Sequence, residues 1–206
     1  MYLFYPSCNY AIASKENAMK LRKFMSERMD VAGCCLKDNR KVNSDDTGIY
    51  MCQNCRSTIE NKMQTLSLWE YLLKTEYPLP DYRGEKMFLQ DCWRDRTHPE
   101  VHHAVRELMK RMGIEIVEMN MNREKSDYCG TLHCETDNEE LRQKMLACSE
   151  QKISRLPLDL QTELMKDHFR DVEEGMRVVV DCNRCKKGAE MAGVNAVHLM
   201  DLILKE

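Results

Sequence analysis

The segment Val178-Val-Val-Asp-Cys-Asn-Arg-Cys185 decides the fold prediction, because in it a short apolar strand runs directly into a Cys-x-x-Cys turn. An earlier segment, Ile49-Tyr-Met-Cys-Gln-Asn-Cys55, has the same order. Each is followed by a short helix, a brief strand and a closing apolar helix, which ends at Glu76 in one case and at Glu206 in the other. The Cys-x-x-Cys pairs are offset by 182 − 52 = 130 residues, and the closing helices by 206 − 76 = 130. Two copies of one unit are the simplest explanation.

The repeat extends upstream of these segments. An apolar strand, Tyr2-Leu-Phe4, leads to Cys8, and a second one, Met87-Phe-Leu89, leads to Cys92. Between these anchors the chain alternates short apolar strands with amphipathic helices, a pattern that predicts parallel sheets with helices packed on them. The predicted fold is therefore α/β, with two tandem pseudo-symmetric Rossmann-like units, each a short and mostly parallel sheet flanked by helices.

A link rich in helix-breaking residues divides the two copies. It runs from Tyr77 to Gly84 and contains two prolines and a glycine. We predict a shortened first unit at residues 1–80 and a second unit at 81–206. Residues 135–176 have no counterpart in the first copy, and their apolar spacing predicts an inserted pair of helices that covers one side of the second unit.

Composition narrows the function classes. The net charge of −3 comes with no basic stripe, so nucleic acid is not an expected partner. The apolar runs are too short to span a bilayer and no signal peptide is evident, which predicts a cytoplasmic protein without a transmembrane segment. The chain has eleven cysteines, an odd number that disfavours a fully paired disulfide set. In a reducing compartment such a density indicates metal ligation or thiol chemistry.

The candidate ligands form two groups, many of them directly after predicted strands, where α/β folds place their sites. The first group is Cys8, Cys34, Cys35, Cys52 and Cys55. The second group is Cys92, Cys129, Cys182 and Cys185, with His133 and Cys134 as open additional candidates. Five thiolates that include an adjacent pair suit a multi-iron cluster better than a four-coordinate zinc ion, whereas four thiolates satisfy either a zinc ion or a cluster.

The doubled order of a lone cysteine, a Cys-Cys pair and a Cys-x-x-Cys resembles the CCG (cysteine-rich) domain of heterodisulfide reductase and of the related iron–sulfur proteins of lactate utilisation and glycolate oxidation. The segments Gln90–Arg96 and Tyr128-Cys-Gly130 also resemble that family. The resemblance implies a non-cubane 4Fe-4S cluster at the first group of cysteines, with thiol or disulfide chemistry performed there. It implies a second 4Fe-4S cluster or a zinc ion at the second group. The chain lacks the close-spaced cysteine run of a ferredoxin, so a flavoprotein or ferredoxin-like partner is expected to supply electrons.

Three positions depart from the family pattern. Leu36 stands where a glycine follows the first Cys-Cys pair, and Tyr128 stands where the second pair has its first cysteine. Only 52 − 35 − 1 = 16 residues separate Cys35 from Cys52, where the family usually has a helix and a strand, so the first copy is expected to be shortened there.

Three functional hypotheses follow. The leading one is an iron–sulfur redox protein, similar to heterodisulfide reductase, that acts as an oxidoreductase or as the electron-transfer component of one. The alternative is a structural or regulatory zinc-binding module without catalysis. The third is a metal-free thiol–disulfide protein that uses the pairs Cys52–Cys55 and Cys182–Cys185. The sequence identifies no catalytic side chain.

Overall fold

The computed structural model describes residues 1–75 and 77–205, in which strands and helices alternate along both copies of the repeat. The elements of the first copy are β1 (Tyr2–Tyr5), α1 (Cys8–Ala13), α2 (Lys15–Ser26), β2 (Asp30–Val31), β3 (Thr47–Tyr50), α3 (Gln53–Ile59), β4 (Gln64–Ser67) and α4 (Leu68–Lys74). Those of the second copy are β5 (Lys86–Gln90), α5 (Pro99–Arg111), β6 (Glu115–Glu118), α6 (Glu139–Glu150), α7 (Leu158–His168), β7 (Arg177–Val180), α8 (Asn183–Met191), β8 (Asn195–His198) and α9 (Leu199–Ile203). The predicted helix ends at Glu76 and Glu206 lie outside the described residues.

The strands form two four-stranded parallel sheets with the same order, β2-β1-β3-β4 in one and β6-β5-β7-β8 in the other. The registers of the inner strands match as well, since Phe4 pairs with Ile49 in the first sheet and Leu89 with Val179 in the second. Helices flank both sheets. The predicted α/β fold with two tandem Rossmann-like units is therefore confirmed.

Burial explains why the inner strands are continuous apolar runs. Val178, Val179 and Val180 are completely buried, and Leu3 and Phe4 are buried to the same degree. A strand that is covered on both faces gains from apolar side chains at every position instead of every second one. The strand pattern that is visible in the sequence is thus a direct result of helices covering both faces.

The chain folds into two compact units. Unit 1 comprises Met1–Glu85, Thr97–Glu115 and Leu199–Glu206. Unit 2 comprises Lys86–Arg96 and Ile116–His198. The first sheet lies in unit 1 and the second sheet in unit 2, and α5 and α9 of the second sequence copy are grouped with unit 1.

The two copies differ most in the segment that leads from the edge strand (β2 or β6) to the next strand of the chain in the sheet (β3 or β7). In unit 1 the chain passes from β2 to β3 without a described helix, as the short spacing predicts. In unit 2 the predicted insert at 135–176 contains α6 and α7. Helix α6 is capped by the side chain of Asn138, which accepts a hydrogen bond from the Leu141 N–H.

Candidate metal centre

Three loops of unit 2 bring the second group of cysteines together. Cys92 follows β5 after one intervening residue, and Cys182 follows β7 in the same way. Cys182 is the N-cap of α8, which places Cys185 in the first turn of that helix. Cys129 comes from the loop before the insert, where its N–H donates to the carbonyl of His133. The carboxyl ends of two adjacent parallel strands therefore supply three of the four sulfurs, as α/β topology favours.

The four sulfur atoms form a compact, enclosed set. All of them lie within 4.8 Å of one another, and Cys92 Sγ is 3.5 Å from Cys129 Sγ. Three of the four residues are completely buried and Cys182 is 8% exposed. A buried set of four thiol sulfurs this close can hold a metal ion or a cluster, because thiolates are soft metal ligands. Without a metal, the same burial would keep these polar atoms away from water at a cost in free energy.

The four thiols affect one another's ionisation. Hydrogen bonds from the thiols of Cys182, Cys185 and Cys92 hold the pKa of Cys129 far below its usual range, and the nearby Arg94 guanidinium adds to the effect. Donation to Cys129 raises the pKa of Cys92, and burial raises that of Cys185. Ionisation of one sulfur thus depends on protons that its neighbours keep, and a bound metal ion would displace those protons.

A buried polar network holds the Cys92 loop in place. Asn122 accepts from the backbone N–H of Asp91 at 2.9 Å and donates to the carbonyl of Leu89 at 2.7 Å. Ser126 Oγ donates to the carbonyl of Asp91 at 2.8 Å. Gln90 Nε2 donates to the same carbonyl and to Asn122. The segment Gln90–Arg96 was singled out from the sequence, but Asn122 and Ser126 were missed, since isolated polar residues around a loop carry no periodic signal.

Tyr128, at a position where the resemblance implies a cysteine, has a structural role. Its side chain is completely buried, and its hydroxyl donates to the carbonyl of Cys185 at 3.0 Å. Its ring stacks on His168 at 4.3 Å and meets Phe169 edge-on. The tyrosine therefore ties the Cys129 loop to α8 and to the insert. Gly188 permits this approach, because a Cβ there would collide with the tyrosine hydroxyl.

The first group of cysteines lies at equivalent positions in unit 1 but is more open. Cys8 begins α1 and is exposed, and Cys34 is half-buried in the loop after β2. Cys35 and Cys55 are buried in the core of unit 1, and Cys52 packs against that core as the N-cap of α3. Among the residues that the structure describes, the set of four in unit 2 is the one that meets the 4.8 Å spacing.

Side-chain hydrogen bonds nevertheless connect the first group in pairs. The thiols of Cys8 and Cys34 are hydrogen-bonded to each other, and the thiol of Cys55 is hydrogen-bonded to those of Cys52 and Cys35. Donation from Cys55, together with the backbone N–H groups at the start of α3, lowers the pKa of Cys52 to about 6. This is the behaviour expected of the first cysteine in a Cys-x-x-Cys pair at a helix N-terminus. All eleven cysteines are free thiols.

The two remaining candidates lie outside the compact set. Burial and the neighbouring Asp127 carboxylate raise the pKa of Cys134 to about 12, so its thiol stays protonated. His133 stacks on Trp93 with ring centroids 4.3 Å apart, and its Nε2 is 3.3 Å from Glu135. Neither residue belongs to the group of four sulfurs.

Fold and site together define an α/β protein of two Rossmann-like sheets with a buried four-cysteine site that can bind metal. No protein-family model matches the chain, and no curated protein matches it significantly. None of the described helices combines the length and the apolar character needed to cross a bilayer.

Proposed function

We propose that the chain is a two-centre metalloprotein in which Cys92, Cys129, Cys182 and Cys185 hold a single tetrahedral ion such as zinc. The spacing of the sulfurs carries this proposal. A Zn–S bond of about 2.3 Å puts the sulfurs of a tetrahedral site about 3.8 Å apart. The observed spacing, 3.5 Å between Cys92 and Cys129 and at most 4.8 Å overall, brackets that value. In a four-iron cluster each thiolate is bonded to a different iron, so the body of the cluster would hold the sulfurs farther apart.

The same site has the features of a structural centre. Structural zinc sites are closed by four protein ligands, whereas catalytic sites keep a position open for water or substrate. The four cysteines are at least nine-tenths buried, and they come from three separate loops that a shared ion would hold together. Loading of this centre would therefore stabilise the fold of unit 2 and perform no chemistry itself.

The first group of cysteines is the proposed redox centre. Cys8, Cys34, Cys35, Cys52 and Cys55 would hold an iron–sulfur cluster of the type found in CCG domains. The exposure of Cys8 and the half-exposure of Cys34 support a centre that external thiols or disulfides can reach. Reduction of a disulfide consumes two electrons and two protons, and a flavoprotein or ferredoxin-like partner would supply the electrons. The bound cluster would provide the electron-transfer chemistry, while these residues position it at the surface of unit 1.

A second candidate function is a zinc-binding module without catalysis. Two observations favour it: among the described residues the first group of cysteines forms no compact set of the kind found in unit 2, and Leu36 is 80% exposed at the position where the family has a glycine. Under this alternative the first group of cysteines would hold zinc or no metal.

Metal analysis of anaerobically purified protein distinguishes the two functions. The proposal predicts one zinc per chain together with iron and acid-labile sulfide. Cys34→Ser should remove the iron and sulfide and leave the zinc, whereas Cys92→Ser should remove the zinc. Cys148→Ser serves as the control, because Cys148 lies on α6 outside both groups. A chain with zinc and no iron or sulfide would establish the second candidate, and a chain without bound metal would contradict both.

A further inference from the structure

Unit 2 contains a large cavity that is separate from the four-cysteine site. Its volume is about 1010 Å³, at the upper end of the range of about 300–1,000 Å³ that is typical of sites for small organic ligands. The walls come from one face of α6, one face of α7 and the loop 130–136. On α6 the lining positions 142, 145, 146 and 149 share one face, and on α7 the positions 161, 164 and 165 do the same.

The lining is apolar along the two helices. Met145 and Leu146 line it from α6, and Leu164 and Met165 line it from α7. Leu146 is 52% exposed, and Leu132 in the loop is 50% exposed. Leu141 is the one described residue of α6 that is buried, and the half-exposed Leu146 leaves part of the apolar face of this helix open. Such a face favours occupation by an apolar group.

The rim is cationic. Arg142, Arg155 and Arg184 line the cavity, and Glu135 is the acidic residue among the described lining. Arg142 is engaged by Glu139 at 3.3 Å, while no ion pair within the described part of the chain involves Arg155 or Arg184. Two guanidinium groups at an apolar opening favour binding of an organic anion, because each guanidinium can donate two parallel hydrogen bonds to a carboxylate or phosphate.

A buried acceptor adds a third feature. Gln161 is 4% exposed and lines the cavity, and its Nε2 donates to the carbonyl of Leu156 at 2.5 Å. Its Oε1 is buried with no hydrogen-bond partner within the described residues. A buried amide oxygen without a donor is costly, and a ligand that carries an N–H or O–H group would satisfy it.

We propose that this cavity binds an amphipathic organic acid: an apolar chain between α6 and α7, a hydrogen-bond donor to Gln161 Oε1, and an anionic group at Arg155 and Arg184. The insert is then a ligand chamber and not only a cover for the sheet. The proposal goes beyond the metalloprotein function and depends on the identity of neither metal.

Isothermal titration of the full chain, as purified, with three matched probes tests the proposal. N-decanoylglycine has the chain, the amide N–H and the carboxylate. N-decanoylethanolamine keeps the first two without the charge, and decanoate keeps the chain and charge without the N–H. N-decanoylglycine should bind most tightly, with N-decanoylethanolamine about tenfold weaker, as expected for the loss of a charge-assisted hydrogen bond.

Variants assign the binding to this cavity. Leu146→Glu should weaken N-decanoylglycine binding at least about tenfold, because it places a negative charge among the apolar lining. Leu158→Glu is the matched control, since Leu158 is 70% exposed and lies outside the lining, and it should bind as the wild type does. Gln161→Leu should bring N-decanoylglycine down to the affinity of decanoate.

Gln161→Leu also removes a hydrogen bond within the insert, so a second variant is needed that does not disturb the packing. Arg155→Gln serves this purpose, because Arg155 is exposed. Arg155→Gln should reduce the ratio of the affinities for N-decanoylglycine and N-decanoylethanolamine. Lys187→Gln should leave this ratio unchanged, because Lys187 is exposed and lies outside the lining. Absence of N-decanoylglycine binding by the wild type, equal affinity for all three probes, or equal effects of Leu146→Glu and Leu158→Glu would each overturn the proposal.

Discussion

At the scale of single residues, two cysteines show how position controls thiol chemistry. Cys52 caps a helix and accepts hydrogen bonds, which lowers its pKa to about 6. Cys134 is buried and lies near carboxylates, which raises its pKa to about 12. The thiolate is the reactive form, so the two residues should differ greatly in reactivity at neutral pH although neither is in a disulfide.

We therefore predict that, in the metal-free chain, Cys52 is alkylated by iodoacetamide with a half-maximal rate near pH 6. Cys134 in the same sample should stay unmodified at pH 7, because almost none of it is ionised. Peptide-resolved mass spectrometry after timed quenching measures both sites at once, and Cys134 is the internal control. Equal rates for the two cysteines across pH 5–8 would contradict the assignment.

His168 provides a second prediction at this scale. Its Nε2 lies 2.6 Å from Gln90 Oε1, its ring stacks on Tyr128, and burial lowers its pKa to about 4. An unfolded histidine titrates near pH 6.5, so between pH 6.5 and 4 the unfolded chain takes up a proton that the folded chain does not. The protein should lose up to about 3 kcal/mol of stability as the pH falls through this window.

Urea unfolding at pH 7.0 and pH 4.5 tests this linkage. His168→Gln keeps a donor for Gln90 but cannot titrate, so its free energy of unfolding should fall by less than that of the wild type. His103→Gln is the matched control, because His103 is an exposed residue of α5. If both variants and the wild type lose the same amount, His168 is not responsible for the acid sensitivity.

At the scale of elements, the contact between α8 and the Cys129 loop depends on a helical glycine. Gly188 lies in the interior of α8, where alanine is normally preferred by about 1 kcal/mol. A Cβ at this position would meet the Tyr128 hydroxyl and lie 2.7 Å from the Gly130 Cα. The steric conflict involves backbone, so it should outweigh the gain in helix propensity.

We predict that Gly188→Ala lowers the melting temperature and weakens metal retention, with a cost of roughly 1–3 kcal/mol that is typical of overpacking. Adding Tyr128→Phe should recover part of the loss, because it removes the colliding hydroxyl. Gly33→Ala is the control, since no atom lies within 4 Å of a Cβ there. Thermal unfolding followed by circular dichroism, with metal content measured in parallel, compares the variants. A melting temperature for Gly188→Ala at or above that of the wild type would show that the loop can shift freely.

The elements that could be predicted from the sequence are those with a strong local pattern. The valine run at 178–180 is apolar because both faces of the sheet are covered, and the Cys-x-x-Cys turns begin helices, so strand and helix were both evident. The N-cap of α6 at Asn138 and the short helix α1 that precedes α2 were not. Such boundaries depend on single hydrogen bonds, and periodicity does not report them.

The site was partly predictable for a related reason. Cys92 and Cys182 could be grouped because the repeat puts both just after a strand end, with Cys185 in the same Cys-x-x-Cys turn, and Cys129 was added from the resemblance. Their spacing depends on buried partners such as Tyr128 and Asn122, whose contacts are long-range. The cavity of unit 2 was not predicted, because an amphipathic helix that faces a cavity has the same sequence pattern as one that faces a core.

At the scale of the whole molecule, one repeated scaffold contains two groups of cysteines, and we propose a different centre for each. In unit 2 the sulfurs are closely spaced and buried, which suits an ion that stabilises the fold. In unit 1 an exposed and a half-exposed cysteine leave the centre open to solvent. This asymmetry between a closed and an open centre is the central claim, since a structural role and a reactive role need opposite degrees of exposure.

X-ray absorption at the zinc and iron edges of anaerobically purified protein tests that claim most directly. We expect zinc surrounded by four sulfur atoms at about 2.3 Å with no neighbouring metal. This zinc signal should be retained in Cys34→Ser and lost in Cys92→Ser. An iron signal with a second metal shell that disappears in Cys92→Ser would contradict the account, because it would place a cluster at the closed site.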